Sequence, residues 1–116
     1  MSKPETVWIV DDDKSIRWVV EKALQKADIN TRNFAIAKDL LDALNDDTPD
    51  ALITDIRMPG MDGMVLLERL KEVQPSIPVI MITGYATIDA AVEAMRKGAS
   101  DFLAKPFPPE ELTLKV

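Results

Sequence analysis

The sequence VWIVDDDKS, residues 7–15, joins an apolar run to three adjacent carboxylates. The run consists of β-branched and aromatic residues without a polar break, which is typical of a strand buried on both faces. Asp11, Asp12 and Asp13 follow it directly. Because like charges repel and burial raises the pKa of a carboxyl group, such a cluster needs a cation close by. The stretch therefore predicts a buried strand with a functional site at its end.

The composition is that of an ordinary globular domain. The 116 residues are 47% hydrophobic and 29% charged, and no apolar run approaches the roughly 20 residues of a membrane span. The start, MSKPET, lacks the apolar core of a signal peptide, so we expect a cytoplasmic protein. The net charge of -6 argues against a nucleic-acid surface, since phosphate binding requires a basic face. We expect one domain, residues 1–116, that binds neither DNA nor a membrane.

The chain contains no Cys and no His. Their absence excludes disulfides, thiolate zinc sites, cysteine nucleophiles and serine-histidine-aspartate triads. Metal binding or catalysis must therefore use carboxylates, hydroxyls and lysine. Oxygen ligands favour a hard cation such as magnesium.

The apolar pattern alternates between the strand period and the helix period along the chain. Asp13 or Ser15 can cap the first helix, and Gly98 can end the fourth. This alternation predicts an α/β fold, a doubly wound parallel sheet of five strands with helices on both faces. The predicted strands are residues 7–10, 31–34, 51–54, 79–82 and 101–104. The helices are marked by Ile16, Val19, Val20, Ala23, Leu24 and Ala27; by Leu40, Leu41 and Leu44; by Leu66, Leu67 and Leu70; and by Ile88, Ala91, Val92 and Met95.

Polar residues of complementary type stand at the ends of four predicted strands. Asp11 and Asp12 follow the first strand and Asp55 follows the third. Thr83 follows the fourth strand and Lys105 follows the fifth. In open parallel sheets, ligands bind at the carboxyl ends of the strands, near the topological switch point. We therefore expect these residues to form one site.

Each of these residues also has a simpler explanation. The acidic run favours the positive end of the following helix, and Asp13 could serve only as its cap. Asp55 opens the turn-rich sequence DIRMPGMDG, residues 55–63, and could be a loop acid. Thr83 could be an ordinary strand residue, and Lys105 a solvated charge. The joint placement of both charge signs at one sheet edge favours a functional site.

Together these groups suit phosphoryl transfer. Two or three carboxylates can hold magnesium, while one carboxylate acts as nucleophile and forms an acyl phosphate. A lysine then neutralises the charge of the transferred group, and a threonine hydroxyl can donate a hydrogen bond to a phosphate oxygen.

Four short elements resemble the receiver domain of bacterial two-component response regulators: the acidic pair in VDDD, the aspartate that opens DIRMPGMDG, the threonine of MITG and the lysine of AKPF. The resemblance covers essentially the whole chain. It is closest to the NtrC class, nitrogen-regulation activators that work with sigma-54, in VWIVDDDKSIRWVVEKAL, DIRMPGMDG and KPF. The family implies a flavodoxin-like (CheY-like) fold and a signalling switch that catalyses only its own phosphorylation and dephosphorylation.

By position, the resemblance implies that Asp55 is the phosphoacceptor and takes a phosphoryl group from a histidine of a sensor kinase. Asp11 and Asp12 would hold Mg2+, Asp12 directly and Asp11 through water. Asp55 and the backbone carbonyl of Arg57 would complete the protein ligands. Lys105 would bind the phosphoryl group.

The resemblance also implies a conformational switch. Thr83 would move toward the phosphoryl oxygen and Phe102 would move into the vacated space, although Phe102 could equally be plain core. The bond before Pro106 is expected to be cis. The charge added by phosphorylation would bias the loop 84–87, the helix through Lys97 and the fifth strand. This region of the fourth helix and fifth strand would bind an output domain or a second receiver.

The sequence PPEELTLKV, residues 108–116, begins a fifth helix that we expect to be truncated, since a receiver normally uses about three turns there. No ATPase segment and no helix-turn-helix pattern follows. Control of sigma-54-dependent transcription is therefore expected of a longer parent protein.

Two other hypotheses remain open. The first is a phosphatase of the haloacid dehalogenase type, whose Asp-x-Asp motif resembles residues 11–15 and would make Asp11 the nucleophile. Such an enzyme needs a further acidic motif after the lysine strand, where only Glu110 and Glu111 remain. The second is a degenerate receiver that only binds partners, although the acceptor aspartate and the lysine are both present.

Overall fold

A computed structural model describes residues 6–56, 62–84 and 88–105, with Ile88 described by its backbone alone. Five strands alternate with four helices along these residues. The strands are β1 (Thr6–Val10), β2 (Asn30–Phe34), β3 (Ala51–Asp55), β4 (Val79–Thr83) and β5 (Asp101–Ala104). The helices are α1 (Lys14–Lys26), α2 (Ala37–Ala43), α3 (Gly63–Val73) and α4 (Ile88–Arg96).

The strands form one parallel sheet in the order β2-β1-β3-β4-β5. From β1 the chain crosses to β2 on one side of that strand. It then returns to form β3 on the other side of β1 and continues outward through β4 and β5. The topological switch point therefore lies between the neighbouring strands β1 and β3, where Val10 is opposite Thr54. Because all strands run in parallel, their carboxyl ends lie on the same side of the sheet. The residues that end β1, β3, β4 and β5 therefore lie near one another.

Two core clusters occupy the two faces of the sheet. Successive side chains of a strand point to opposite faces, so Trp8 belongs to one cluster and Ile9 to the other. In the cluster of Ile9, α1 contributes Val20 and Leu24. The cluster of Trp8 is closed by α2, α3 and α4. Helices thus cover both faces, which confirms the doubly wound prediction. The helical members of the cluster of Trp8 are Ala37, Leu40, Ala43, Leu66, Leu67, Leu70 and Ala94.

The predicted strands are all present, with small shifts at their ends. β1 and β2 each begin one residue earlier than predicted, and Asp55 and Thr83 are the last residues of their strands rather than the residues that follow. The weak pattern of β2 has a structural reason. It lies at the edge of the sheet, and only Phe34 among its residues is buried.

The fourth helix is present, but its buried face differs from its apolar spacing. Val92 is 47% exposed and Met95 is 48% exposed, whereas the smaller Ala94 is fully buried. Gly98 ends the helix as predicted, with φ at +105° and its N–H donated to the carbonyl of Met95 at 3.2 Å. The spacing therefore identified the helix and not the face that packs on the sheet.

Several sequence predictions lie outside the described residues. They concern the carbonyl of Arg57, the bond before Pro106, the residues 85–87 of the switch loop, and the fifth helix. These remain predictions. Among the described residues, no helix has both the length and the apolar character that a membrane crossing requires.

Candidate functional site

Three carboxylates meet where β1 and β3 end. One oxygen from each of Asp11, Asp12 and Asp55 lies within 4.8 Å of the other two. Asp11 is fully buried and Asp55 is 7% exposed, whereas Asp12 is exposed. Oxygens on opposite sides of a bound Mg2+ lie about 4.2 Å apart, given Mg-O distances of about 2.1 Å. The acidic pocket formed by these three residues therefore fits a small divalent cation in both ligand type and size.

Lys105 connects two of these carboxylates. Its Nζ donates hydrogen bonds to Oδ2 of Asp11 at 2.9 Å and to Oδ2 of Asp55 at 3.1 Å. The lysine directly follows β5, and its backbone N–H donates to the carbonyl of Thr83 at 2.8 Å. Its ammonium is thus held between the carboxyl ends of β1 and β3.

Burial and the neighbouring charges have opposite effects on the pKa values of Asp11 and Lys105. Burial raises the pKa of Asp11 above its ordinary value, although the N–H of Asp13 and the ammonium of Lys105 act in the opposite direction. Burial alone would lower the pKa of Lys105, but its hydrogen bonds and charge interactions with Asp11 and Asp55 outweigh this and raise the pKa. The lysine therefore stays charged, while an ionised Asp11 carries a desolvation cost that a bound cation would offset.

The backbone and side chain of Asp11 are fixed by separate partners. Its N–H donates to the carbonyl of Phe34 on β2 at 3.2 Å. Oδ1 accepts from the N–H of Asp13 at 2.9 Å. The carbonyl oxygen accepts from Nη1 of Arg17 on α1 at 2.5 Å. Together with the bond from Lys105, these contacts engage every polar atom of Asp11.

Asp55 is held by the start of the following loop. Its Oδ1 accepts from the N–H of Ile56 at 2.7 Å, and its carbonyl accepts from Oγ1 of Thr54 at 3.0 Å. The N–H of Gly63 donates to the carbonyl of Ile56 at 2.7 Å, so that α3 begins against this segment. A Cβ atom at Gly63 would lie only 2.0 Å from the carbonyl oxygen of Asp55. Only glycine permits this approach.

The other candidate residues lie nearby but have different environments. Thr83 is 1% exposed at the end of β4, beside β5. Phe102 is half-buried on β5 and packs against the core cluster of Trp8. Asp13 lies outside the acidic pocket and is the N-cap of α1, since its Oδ1 accepts from the N–H of Ser15 at 2.9 Å. The capping alternative is therefore confirmed for Asp13.

Sequence reasoning missed two residues of the site. The contact of Arg17 with the carbonyl of Asp11 depends on the turn between β1 and α1, and no residue pattern marks it. The sequence Asp62-Gly63 is typical of a turn. The close approach of Gly63 to Asp55 depends instead on how α3 packs against β3.

Comparison with known proteins identifies relatives of this fold and site. The sequence model of the response regulator receiver domain matches residues 7–116. The DNA-binding transcriptional regulator NtrC of Klebsiella pneumoniae is 52% identical over 109 residues, which are 94% of this chain and 23% of that protein. The chain therefore spans less than a quarter of the length of this relative.

Solved structures agree with the sequence match. A response regulator receiver domain protein (CheY-like) from Methanospirillum hungatei superposes with a TM-score of 0.91 at 29% identity, covering 97% of this chain and 90% of that chain. The receiver domain of NtrX from Brucella abortus gives a TM-score of 0.88 at 39% identity, covering 93% of this chain and 92% of that chain.

The environment of Asp11 argues against the phosphatase alternative, as do these matches. Its nucleophile would be Asp11, which is fully buried and has both carboxylate oxygens engaged in hydrogen bonds. The residues matched by the receiver-domain model include the ends of β1 and β3, where the acidic pocket lies. The order of the strands, the pocket at their switch point and the extent of the sequence match agree, and the chain belongs to the response regulator receiver domain family, with NtrC-type regulators among its relatives.

Proposed function

We propose that residues 1–116 form a single receiver domain that accepts a phosphoryl group on Asp55 in the presence of Mg2+. The observation that carries this proposal is the contact of Lys105 Nζ with Oδ2 of Asp55 at 3.1 Å and with Oδ2 of Asp11 at 2.9 Å. The contact brings a cation to the carboxylate that would react. An incoming phosphoryl group needs such positive charge beside it.

The acidic pocket is the proposed metal site. Asp12 and Asp55 would bind Mg2+ directly and Asp11 through water, with the backbone carbonyl of Arg57 as a further ligand. When bound, the ion supplies positive charge that offsets the repulsion among the carboxylates and phosphoryl oxygens. The buried position of Asp11 and its raised pKa support this assignment, because an ionised carboxylate there requires compensation.

The proposed reaction is a transfer between a phosphohistidine and Asp55. A carboxylate oxygen of Asp55 attacks phosphorus and forms a P-O bond, while the P-N bond breaks. The electron pair leaves with the imidazole nitrogen, which then takes up a proton. Lys105 pairs with the phosphoryl oxygens, and the hydroxyl of Thr83 donates a hydrogen bond to one of them. Later attack of water on phosphorus releases phosphate and restores the carboxylate.

The output of this reaction would be a conformational change. Movement of Thr83 toward the phosphoryl group, with Phe102 moving inward, would alter the surface formed by α4 and β5. The proposed partners are a sensor histidine kinase as donor and an output domain or a second receiver at that surface. The similarity to NtrC, named a DNA-binding transcriptional regulator, supports a role in sigma-54-dependent nitrogen regulation in a cytoplasmic parent protein. DNA binding itself would belong to other parts of that protein.

The direct test is the intact mass of the protein after incubation with acetyl phosphate and Mg2+, beside Asp55→Asn. We expect a labile phosphoryl adduct on the parent chain and none on the variant. An adduct that persists in Asp55→Asn but disappears in Asp11→Asn would instead support the phosphatase-like chemistry. No adduct on the parent, with its circular dichroism intact, would support a domain that only binds partners.

A further inference from the structure

We propose that Arg17 is a positioning residue for the acidic pocket. Its guanidinium orients the peptide group between Asp11 and Asp12, and this orientation sets the affinity of the pocket for a divalent cation. The inference rests on the proposed magnesium site, and it assigns a role to a residue outside the set of metal ligands.

The first support is the contact itself. Nη1 of Arg17 donates to the carbonyl oxygen of Asp11 at 2.5 Å, and the bond is partly buried. The backbone N–H of Arg17 donates to the carbonyl of Asp13 at 3.1 Å, which forms part of the first turn of α1. The side chain therefore reaches back from the start of the helix to the end of β1, across the loop that carries the acidic residues.

The second support is the planarity of the peptide bond. The carbonyl of Asp11 and the nitrogen of Asp12 belong to one rigid plane. A donor that fixes the direction of this carbonyl therefore fixes the point from which the chain continues into Asp12. The orientation of the Asp12 carboxylate relative to Asp55 depends on that plane.

The third support is the difference between the neighbouring aspartates. The carboxylate of Asp11 is held by the N–H of Asp13 and by Lys105. Asp12 is exposed, and within the described part of the chain its side chain has no hydrogen-bond partner. Its placement in the acidic pocket must therefore come from its backbone, which Arg17 holds on the side of the preceding residue.

Arg17 could affect the affinity for Mg2+ through its charge or through its hydrogen bond to Asp11, and the two roles predict opposite changes in affinity when Arg17 is replaced. Loss of a positive charge near the acidic pocket would reduce repulsion of the cation and strengthen its binding. Loss of a positioning hydrogen bond would weaken binding, and changes in groups that orient metal ligands typically cost about 10- to 100-fold in affinity. The sign of the change therefore separates the two roles.

The experiment measures Mg2+ affinity by calorimetric titration of the full chain and of Arg17→Met, which keeps an aliphatic side chain. The matched control is Lys14→Met, since Lys14 is exposed on the same turn of α1 and its replacement removes one positive charge. Arg17→Lys restores the charge and one donor. Arg17→Gln serves as a second neutral variant should Arg17→Met fail to fold, and circular dichroism without metal reports the fold of each.

We expect Arg17→Met to bind Mg2+ at least about 10-fold more weakly than the parent. Lys14→Met should bind as tightly as the parent or more tightly, and Arg17→Lys should recover part of the loss. Unchanged or tighter binding by Arg17→Met or Arg17→Gln would overturn the positioning role while leaving the metal site in place. A parent chain that binds no Mg2+ would overturn the metal site and this inference together.

Discussion

Gly63 shows how a single residue can set the geometry of the site. Its backbone lies so close to β3 that a Cβ atom would approach the carbonyl oxygen of Asp55 to 2.0 Å and Cα of Ile56 to 2.8 Å. Both neighbours are backbone atoms, so relief requires movement of α3 or of Asp55 itself. A residue without a side chain is therefore a condition for the position of Asp55.

We expect Gly63→Ala to lower the free energy of unfolding by at least about 1–3 kcal/mol, the usual cost of overpacking. The matched control is Gly84→Ala, since a Cβ atom there would meet no atom of the described residues within 4 Å. Alanine at an unstrained glycine position stabilises by about 0.4–1 kcal/mol, because it restricts the unfolded chain. Urea denaturation measures both variants. Equal midpoints for the two would contradict the close approach of α3 to Asp55.

Asp11 allows a prediction about pH. Its pKa is raised because it is buried, so protonation of this group favours the folded state. The stability that protonation contributes is fully present below the ordinary pKa of 3.8 and is lost as the pH rises through the raised value. At neutral pH, the ionised carboxylate therefore destabilises the metal-free chain.

Asp11→Asn should consequently be more stable than the parent at neutral pH when a chelator removes divalent cations. The difference between the two should shrink as the pH falls toward 3.8, because the parent then becomes neutral at this position. Urea denaturation at several pH values measures this difference. A difference that stays constant or grows on acidification would mean that Asp11 carries no such desolvation cost.

Two helices that begin near the candidate site, α1 and α3, each have an aspartate as N-cap. Asp13 caps α1 by accepting from the N–H of Ser15, and Asp62 caps α3 by accepting from the N–H of Met64 at 2.6 Å. Each of these carboxylates serves its helix, because it satisfies a backbone donor of the first turn.

We expect Asp13→Ala to cost about 0.5–2 kcal/mol of stability, the usual value for the loss of an N-cap. Its affinity for Mg2+ should stay that of the parent, since Asp13 is not one of the three carboxylates that converge. Asp62→Ala is the corresponding control at α3. Denaturation and calorimetric titration of the same samples measure the two effects. A strong loss of Mg2+ affinity in Asp13→Ala would assign this residue to the metal site.

The connection between β5 and the site predicts a second element-scale effect. Lys105 follows β5 directly and contacts the ends of β1 and β3 through its ammonium. We expect Lys105→Ala to retain Mg2+ binding but to lose much of the conformational response to phosphorylation. Backbone NMR spectra recorded before and after addition of a phosphodonor measure that response. Equal shifts in the variant and the parent would show that Lys105 takes no part in the proposed switch.

The chain as a whole carries a net charge of -6, and its fold brings three carboxylates together at the switch point of the sheet. A cation bound at the proposed site would add to the stability of the folded chain. A ligand that binds only the folded state adds about 2.7 kcal/mol of stability at 100 times its Kd. The folded chain should therefore be most stable when Mg2+ is present.

We expect the melting temperature to rise with Mg2+ and to fall again when a chelator is added. Potassium chloride at equal ionic strength controls for general screening of the acidic surface. Asp12→Asn should lose most of the increase, because Asp12 supplies one of the converging oxygens. A rise of the same size in Asp12→Asn, or in potassium chloride, would show that the effect does not arise in the acidic pocket.

Particular elements show how much of the fold and of the candidate site was predictable. β1 and β4 were visible as uninterrupted apolar runs because both of their faces are buried. β2 was weakly marked because it is an edge strand with a mostly exposed surface. The buried face of α4 was not predictable, since Val92 and Met95 are as apolar as core residues and only packing against the sheet excludes them.

The fold class and the polar residues at the strand ends could be predicted from the amino-acid sequence, because hydrophobic period and strand termination are local properties of the chain. Which of these groups contact one another depends on the packing of elements that are far apart in the sequence. Lys105 and Asp11 are 94 residues apart in the sequence. The lysine contacts both carboxylates because the carboxyl ends of β1, β3 and β5 lie on the same side of the sheet. The contacts of Arg17 and Gly63 with the site likewise depend on where α1 and α3 meet the sheet, which no local pattern encodes.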